Sequence, residues 1–191
     1  MILKLIQINR DGLARLRQGD ILSDVEFIEN IDETDGKIVV SKIIFPLVIV
    51  LSQDCDLKWD FECRNKDDSN NDKYLFSVIV SPLYNYEHFL QGDHLSELNQ
   101  KMQSISSKET KTDNKNLRNN ENPRYHYLQF PDNIPIVNSV IDFKHYFCVN
   151  VETLKKHKEQ HFVCNVSDLF RERISQRFTN YLSRIGLPEG S

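Results

Sequence analysis

The chain lacks a long apolar run. Nothing in its 191 residues approaches the roughly 20 apolar residues of a membrane-spanning helix. Its opening, Met1 to Ile6, is soon interrupted by Lys4 and is too short for the apolar region of a secretory leader. A helix-spanned membrane protein is therefore excluded as a reading, and a cytoplasmic protein with reduced thiols is the expectation. Cysteine is scarce too. Cys55, Cys63, Cys148 and Cys164 stand in C-x7-C and C-x15-C spacings, unlike the paired C-x2-C of zinc modules. No resident metal or cofactor is expected. Cys148 and Cys164 sit in apolar stretches and read as small core residues.

What is present suffices for a core: 39% of residues are hydrophobic. The length suits one domain, or one domain with a large insertion. Net charge is only -4, but it is uneven. Asp20 to Asp68 holds 13 acidic and 5 basic residues, whereas Lys101 to Tyr125 holds 6 basic and 3 acidic. Glu152 to Arg184 holds 7 basic and 4 acidic. Such asymmetry permits a local anionic partner on an acidic whole, or simply solvated faces.

The pattern reads as several strands and few helices. Asp11 to Arg17 could form a helical turn, broken at Gln18-Gly19-Asp20. Ile21 to Ile28 alternates as a strand, and Ile31 to Gly36 reads as a turn on its Asp-Gly pair. Lys37 to Ile44 and Leu47 to Ser52 follow as strands, with Pro46 marking a break or an edge. Lys58 to Lys73, rich in Asp and Asn, reads as a surface loop. Tyr74 to Val80 is a further strand, and Glu87 to Ser104 can be helical. Ser106 to Pro123 is nearly without large apolar residues and reads as a flexible insertion. Short strands are expected at Tyr125 to Phe130, Val137 to Phe143, Tyr146 to Val151 and His161 to Val166. A turn of helix fits between Val151 and Lys158. The clearest helix is the last, with Ser167 and Asp168 at its start and Phe170, Ile174, Phe178, Tyr181 and Ile185 on one stripe. Gly186 and Pro188 would stop it.

Candidate chemistry gathers at Ser52-Gln53-Asp54-Cys55-Asp56, directly after the aliphatic run Phe45 to Leu51. A buried strand ending in a polar turn is a rigid base for a reacting group. Cys55 could be a nucleophile with Asp54, Asp56 and a histidine such as His126. A reactive thiol wants a base or a cation beside it, and two flanking carboxylates do the opposite. A divalent ion held with Cys63 or His126 would relieve that conflict. The plainer reading makes Cys55 a half-buried structural residue, with Ser52 and Asp54 capping backbone groups. A second candidate is cationic. Arg173, Arg177 and Arg184 form a stripe beside the apolar face of the last helix, and Arg124 precedes Tyr125-His126-Tyr127. Cations interleaved with aromatics can hold phosphates and stack on bases. The alternatives are arginines paired within the protein and an amphipathic strand packed on one face.

Gly19-Asp20-Ile21, Pro46-Leu47-Val48-Ile49-Val50-Leu51-Ser52 and Phe76-Ser77-Val78-Ile79-Val80-Ser81-Pro82-Leu83 occur in this order. Over roughly residues 18 to 84 the chain resembles the SH3-like barrels of the PemK/MazF-like family, toxins of toxin–antitoxin systems that cleave RNA. The resemblance does not carry the family's catalytic pair. Phe45 stands where the family has an arginine before the proline, and Tyr84 where it has a threonine. The family's phosphate chemistry needs a cation and an acid–base pair there, which Phe45 cannot supply.

The expectation is thus a single α+β domain over residues 1 to 191. Its core is mainly antiparallel β, an SH3-like barrel or strongly bent sheet capped by the C-terminal helix. The functional expectation is a PemK/MazF-like module binding RNA, DNA or a protein partner in a toxin–antitoxin or defence setting, without RNA cleavage. Arg124, Arg173, Arg177 and Arg184 would contact phosphate. The alternative is a hydrolase or nuclease using Cys55 with Asp54, Asp56 and His126, with or without a metal.

Overall fold

The structure, a computed structural model, describes residues 6–7, 14–66, 70–105 and 111–184. In chain order its elements are β1 (Ile6–Gln7), β2 (Asp20–Thr34), β3 (Lys37–Val50), α1 (Asp54–Arg64), β4 (Ser77–Asn85), α2 (Tyr86–Gln91), α3 (Lys111–Arg118), β5 (Tyr125–Leu128), β6 (Ser139–Asp142), β7 (Phe147–Asn150), α4 (Val151–His161), β8 (Phe162–Val166) and α5 (Asp168–Leu182). The architecture is α+β, and each strand pairs antiparallel with at least one neighbour. The chain forms two compact units. The first comprises Met1–Leu83 and His145–Ser167, the second Tyr84–Lys144 and Asp168–Ser191.

The first unit is a sheet in the order β1-β8-β2-β3-β4, with β7 also on β4. It is strongly bent and does not close into a barrel. Irregularities sit where the bend is needed: register shifts at Ile21/Leu22 and Ile28/Asn30, and a left-handed Asp24 at φ 55°. β3 runs through Pro46 rather than breaking there. Ser23 pairs Leu47 and Val25 pairs Phe45, so the proline, which has no N–H to give, falls beside the distorted Asp24. The turn after β2 is tighter than the sequence suggests. Pairing continues to Thr34 and Lys37, and Asp35 and Gly36, both at positive φ, make a two-residue hairpin turn.

Leu22, Val25, Val48, Val50, Val78 and Val80 line the core of this unit. α4 covers it through Val151 and Leu154, and α1 through Leu57. α4 is three turns long, where the sequence suggested one. Asn150 caps it by accepting from the backbone N–H of Glu152 and Thr153. α1 falls partly in the stretch expected to be a loop. Its end is fixed by Asp60, which accepts from Arg64 Nε at 2.9 Å and from the N–H of Leu75 at 2.7 Å.

The second unit gathers Tyr84, Tyr86, Phe89, Leu90, Leu95, Leu117 and Val140 into its own core. α2 stops at Gly92, because φ there is 81° and a Cβ would sit 2.4 Å from the Met102 carbonyl oxygen. The rest of the helix expected over Glu87 to Ser104 is replaced by a single tight turn, Ser96–Leu98. The stretch expected to be a flexible insertion contains α3, anchored by buried Leu117; residues 106–110 lie outside the described ones. α5 lies on the β5–β6 hairpin, with Phe178 5.5 Å from Phe143 between ring centroids. Ile174 and Phe178 are buried as its periodicity predicts. Ile185, Gly186 and Pro188 lie outside the described residues.

One polar cluster ties the first unit together. Asp20 and Lys158 are each 1% exposed, and Lys158 Nζ lies 2.7 Å from Asp20 Oδ2. The ammonium also donates to the Arg15 carbonyl at 2.6 Å. Asp20 further accepts from Asn165 Nδ2 and the N–H of Arg17, each at 2.7 Å. Burial pushes the Asp20 carboxyl up and the Lys158 ammonium down, and their mutual attraction opposes both shifts. Removing one partner strands the other charge. Lys158→Met should cost about 3–5 kcal/mol in urea denaturation, whereas Asp20→Asn with Lys158→Met should cost less than the two single changes added.

Candidate functional site

The run Ser52 to Asp56 spans a strand-to-helix junction rather than a loop. Ser52 Oγ accepts from the N–H of Ile79 at 2.8 Å, closing the end of β3 against β4. Asp54 opens α1. Its two oxygens take Arg15 Nη1 and Nη2 at 3.1 and 3.0 Å, and Oδ1 takes the N–H of Gln18 at 3.3 Å. Asp54 thus holds the segment leading into β2, close to the capping role that the sequence allowed. Cys55 is exposed, not half-buried, because the first turn of α1 points it outward. Its Sγ lies 3.6 Å from Gln53 Oε1 and 3.7 Å from Asp56 Oδ1, an amide and an anion that do not favour the thiolate. Among the described residues no group of three His, Cys, Asp or Glu side chains could hold a metal ion.

Phe45 stacks on Phe147 at 5.3 Å between centroids. It is part of the packing of β3 against β7.

His126 belongs to the second unit. Alternation along β5 turns His126 and Leu128 inward, leaving Tyr125 and Tyr127 half-buried. The imidazole is 3% exposed, and burial with the nearby charges of Arg177 and Arg173 lowers its pKa to about 3. It is a neutral core residue at physiological pH. The arginines of this unit are largely engaged. Arg124 binds buried Asp142 through Nε and Nη2, at 2.8 and 2.5 Å. Arg177 Nη2 donates to the carbonyls of Asn122 and Tyr125, at 2.7 and 2.9 Å. Arg184 Nε donates to the Tyr181 carbonyl, its guanidinium 3.7 Å above the Tyr181 ring. Arg173 is exposed.

The feature that sequence reasoning missed is an arm. From Ile28 to Lys42 every residue is exposed to solvent. The strands project roughly 20 Å at about 3.3 Å per residue. Cross-strand pairs point to one face, so the register Glu26↔Ile44, Ile28↔Lys42, Ile31↔Val40, Glu33↔Ile38 defines a stripe. Ile28, Ile31, Ile38, Val40 and Ile44 lie on it, between 49% and 73% exposed. The register shift between Ile28 and Asn30 is what keeps Ile28 and Ile31, three apart in sequence, on the same side. Period-2 counting along β2 misses that, although Ile38, Val40 and Ile44 alternate openly along β3.

Two measurements follow. In the folded protein, alkylation should modify Cys55 and Cys148 and leave Cys164 protected until unfolding. Cys148 is exposed, contrary to the core position expected for it, because β7 turns Phe147 and Val149 inward instead. Cys164 is fully buried, its thiol pushed up to about 12. His126 predicts an acid limb. Its folded pKa is depressed from 6.5 to about 3, so the unfolded chain takes up the proton first. Stability from this site is complete above about pH 6.5 and falls on acidification by up to about 1.4 kcal/mol per pH unit. His126→Phe should flatten that part of the curve, read as the difference from wild type in denaturant midpoints across the range.

No protein-family model matches this sequence, and no curated protein does.

Proposed function

We propose that the chain is a binding module whose partner is a protein, engaged through the β2–β3 arm. The observation that carries this reading is the stripe Ile28, Ile31, Ile38, Val40 and Ile44, exposed on a ribbon that contributes nothing to the core. Contiguous exposed aliphatic surface on an ordered element is characteristic of interaction sites. Charge argues for protein over nucleic acid. Residues 28–42 carry Glu29, Asp32, Glu33 and Asp35 against Lys37 and Lys42, so a phosphate backbone would be repelled. The arginines expected to meet phosphate already serve internal acceptors in Arg124, Arg177 and Arg184. A toxin–antitoxin or defence setting is compatible with such a module, whose work is to hold another protein.

The test is a photo-crosslinking residue placed at Val40 in cells, with the same residue at exposed Lys156 as control. A discrete protein adduct at position 40, absent at the control, is the expected result. Crosslinking to nucleic acid, or no adduct above the control, would sink the reading.

A further inference from the structure

We infer that the partner of the arm is a second copy of this chain, the two stripes meeting face to face across a two-fold axis. This rests on the arm being a protein-docking surface and says what docks there.

The argument is the order of side chains along the stripe. Passing outward from the core, its rows are Ile44 with Glu26, Lys42 with Ile28, Val40 with Ile31, and Ile38 with Glu33. The outer three rows hold one lysine and one glutamate, at opposite ends, with aliphatic side chains between them. A surface with opposite charges at its two ends is complementary to itself when reversed. Centre a two-fold on the Val40–Ile31 row, perpendicular to the strands. Val40 and Ile31 then meet their own copies, and the Ile38–Glu33 row of each arm meets the Lys42–Ile28 row of the other. Glu33 comes to the level of Lys42 of the second copy. Lys42 is already paired with Glu26 in its own chain, at 46% side-chain exposure, and can bridge both carboxylates. Glu29 and Asp32 do not enter this contact: Glu29 accepts from Ser41 Oγ at 3.0 Å and Asp32 pairs Val39, both on the opposite face. Asp35, in the turn, comes level with the Ile44–Glu26 row of the other copy, at the edge of the contact.

β-branched residues suit such a contact, since they lose little side-chain freedom on burial. The three rows that meet span about 13 Å along the strands and about 10 Å across them, so the contact buries at most a few hundred Å² per copy, below the roughly 800 Å² of a standard interface. Association should therefore be weak and reversible, with a midpoint on the order of tens of micromolar.

Sedimentation velocity on the full chain, from about 2 to about 200 µM, is the test. Wild type should pass from monomer to dimer across this range. Val40→Lys should weaken association at least about tenfold, while its thermal unfolding should fall only by what the loss of the Ile31–Val40 cross-strand pair costs, leaving a folded monomer. Glu33→Lys should weaken it, and adding Lys42→Glu should restore it. With Cys55 and Cys148 changed to serine, Val40→Cys should form an intermolecular disulfide under mild oxidation, and Val39→Cys, on the opposite face, should not. A wild type that stays monomeric throughout, with no disulfide at position 40, overturns the second-copy inference. If position 40 still crosslinks to a different protein in cells, the arm reading survives that failure. If it crosslinks to none, both fall.

Discussion

The first unit depends on a lysine in the wrong place. Lys158 sits on a helix written Lys155-Lys156-His157-Lys158-Glu159-Gln160-His161, and only an acid within reach permits its burial. Asp20, at the first position of β2, supplies it at 2.7 Å. Around this pair the parts that must stay together converge. Asn165 of β8 faces Asp20 across the ladder, and the Arg15 and Arg17 backbone closes over the two charges. The same incoming segment is gripped from the other side by Asp54 through Arg15 and Gln18. A buried ion pair is a poor source of net stability compared with a hydrophobic substitute, because both charges must be desolvated. Its use here is positional. Only one register of β2 against β8 and one seating of α4 leave no charge stranded.

This explains what could and could not be read from the residues. The aliphatic runs at Leu47 to Leu51 and Val78 to Val80 announce buried strands, and Ile174 and Phe178 announce the face of α5. Asp35-Gly36 announces its hairpin. α4 was legible only as a turn of helix because its composition is that of a solvated surface. Its burial comes from Val151, Leu154 and one neutralised lysine, and the neutralising acid is distant in sequence. α1 hides for a related reason. It buries just Leu57 and Asp60, and Asp60 is held by Arg64 and the Leu75 backbone, beyond any periodic signal.

The partners of the cationic residues are equally hidden in the sequence. Arginine number and spacing are visible in sequence, but occupancy is not. Arg124 meets an aspartate buried to 1%, and Arg177 serves two carbonyls at the start of β5. Each makes bonds that a phosphate would have to displace, and releasing Arg124 would leave the buried Asp142 carboxylate unpaired. Arg124 therefore fastens the two strands of the β5–β6 hairpin, and Arg177 fastens α5 to its start. The low pKa of His126 belongs to the same arrangement, since a neutral imidazole is what a core flanked by fixed cations can hold.

The sequence of the arm is not accounted for by folding. A two-stranded ribbon standing alone is marginal in water, and aliphatic residues on it gain nothing from exposure. Cross-strand pairs such as Ile31 with Val40 supply some stability, but polar β-formers such as threonine would do so as well and keep the ribbon soluble. Its unpaired edges are also an aggregation hazard. An ordered ribbon that gathers five exposed aliphatic residues on one face, against Val39 alone on the other, is therefore shaped by a contact made outside the chain. The placement of charge narrows that contact further. A face meant for a strongly basic or acidic partner would carry charge of one sign along its length. Here Lys42 and Glu33 stand at opposite ends of an apolar centre, an arrangement with nothing to gain from a uniform partner and something to gain from its own reverse.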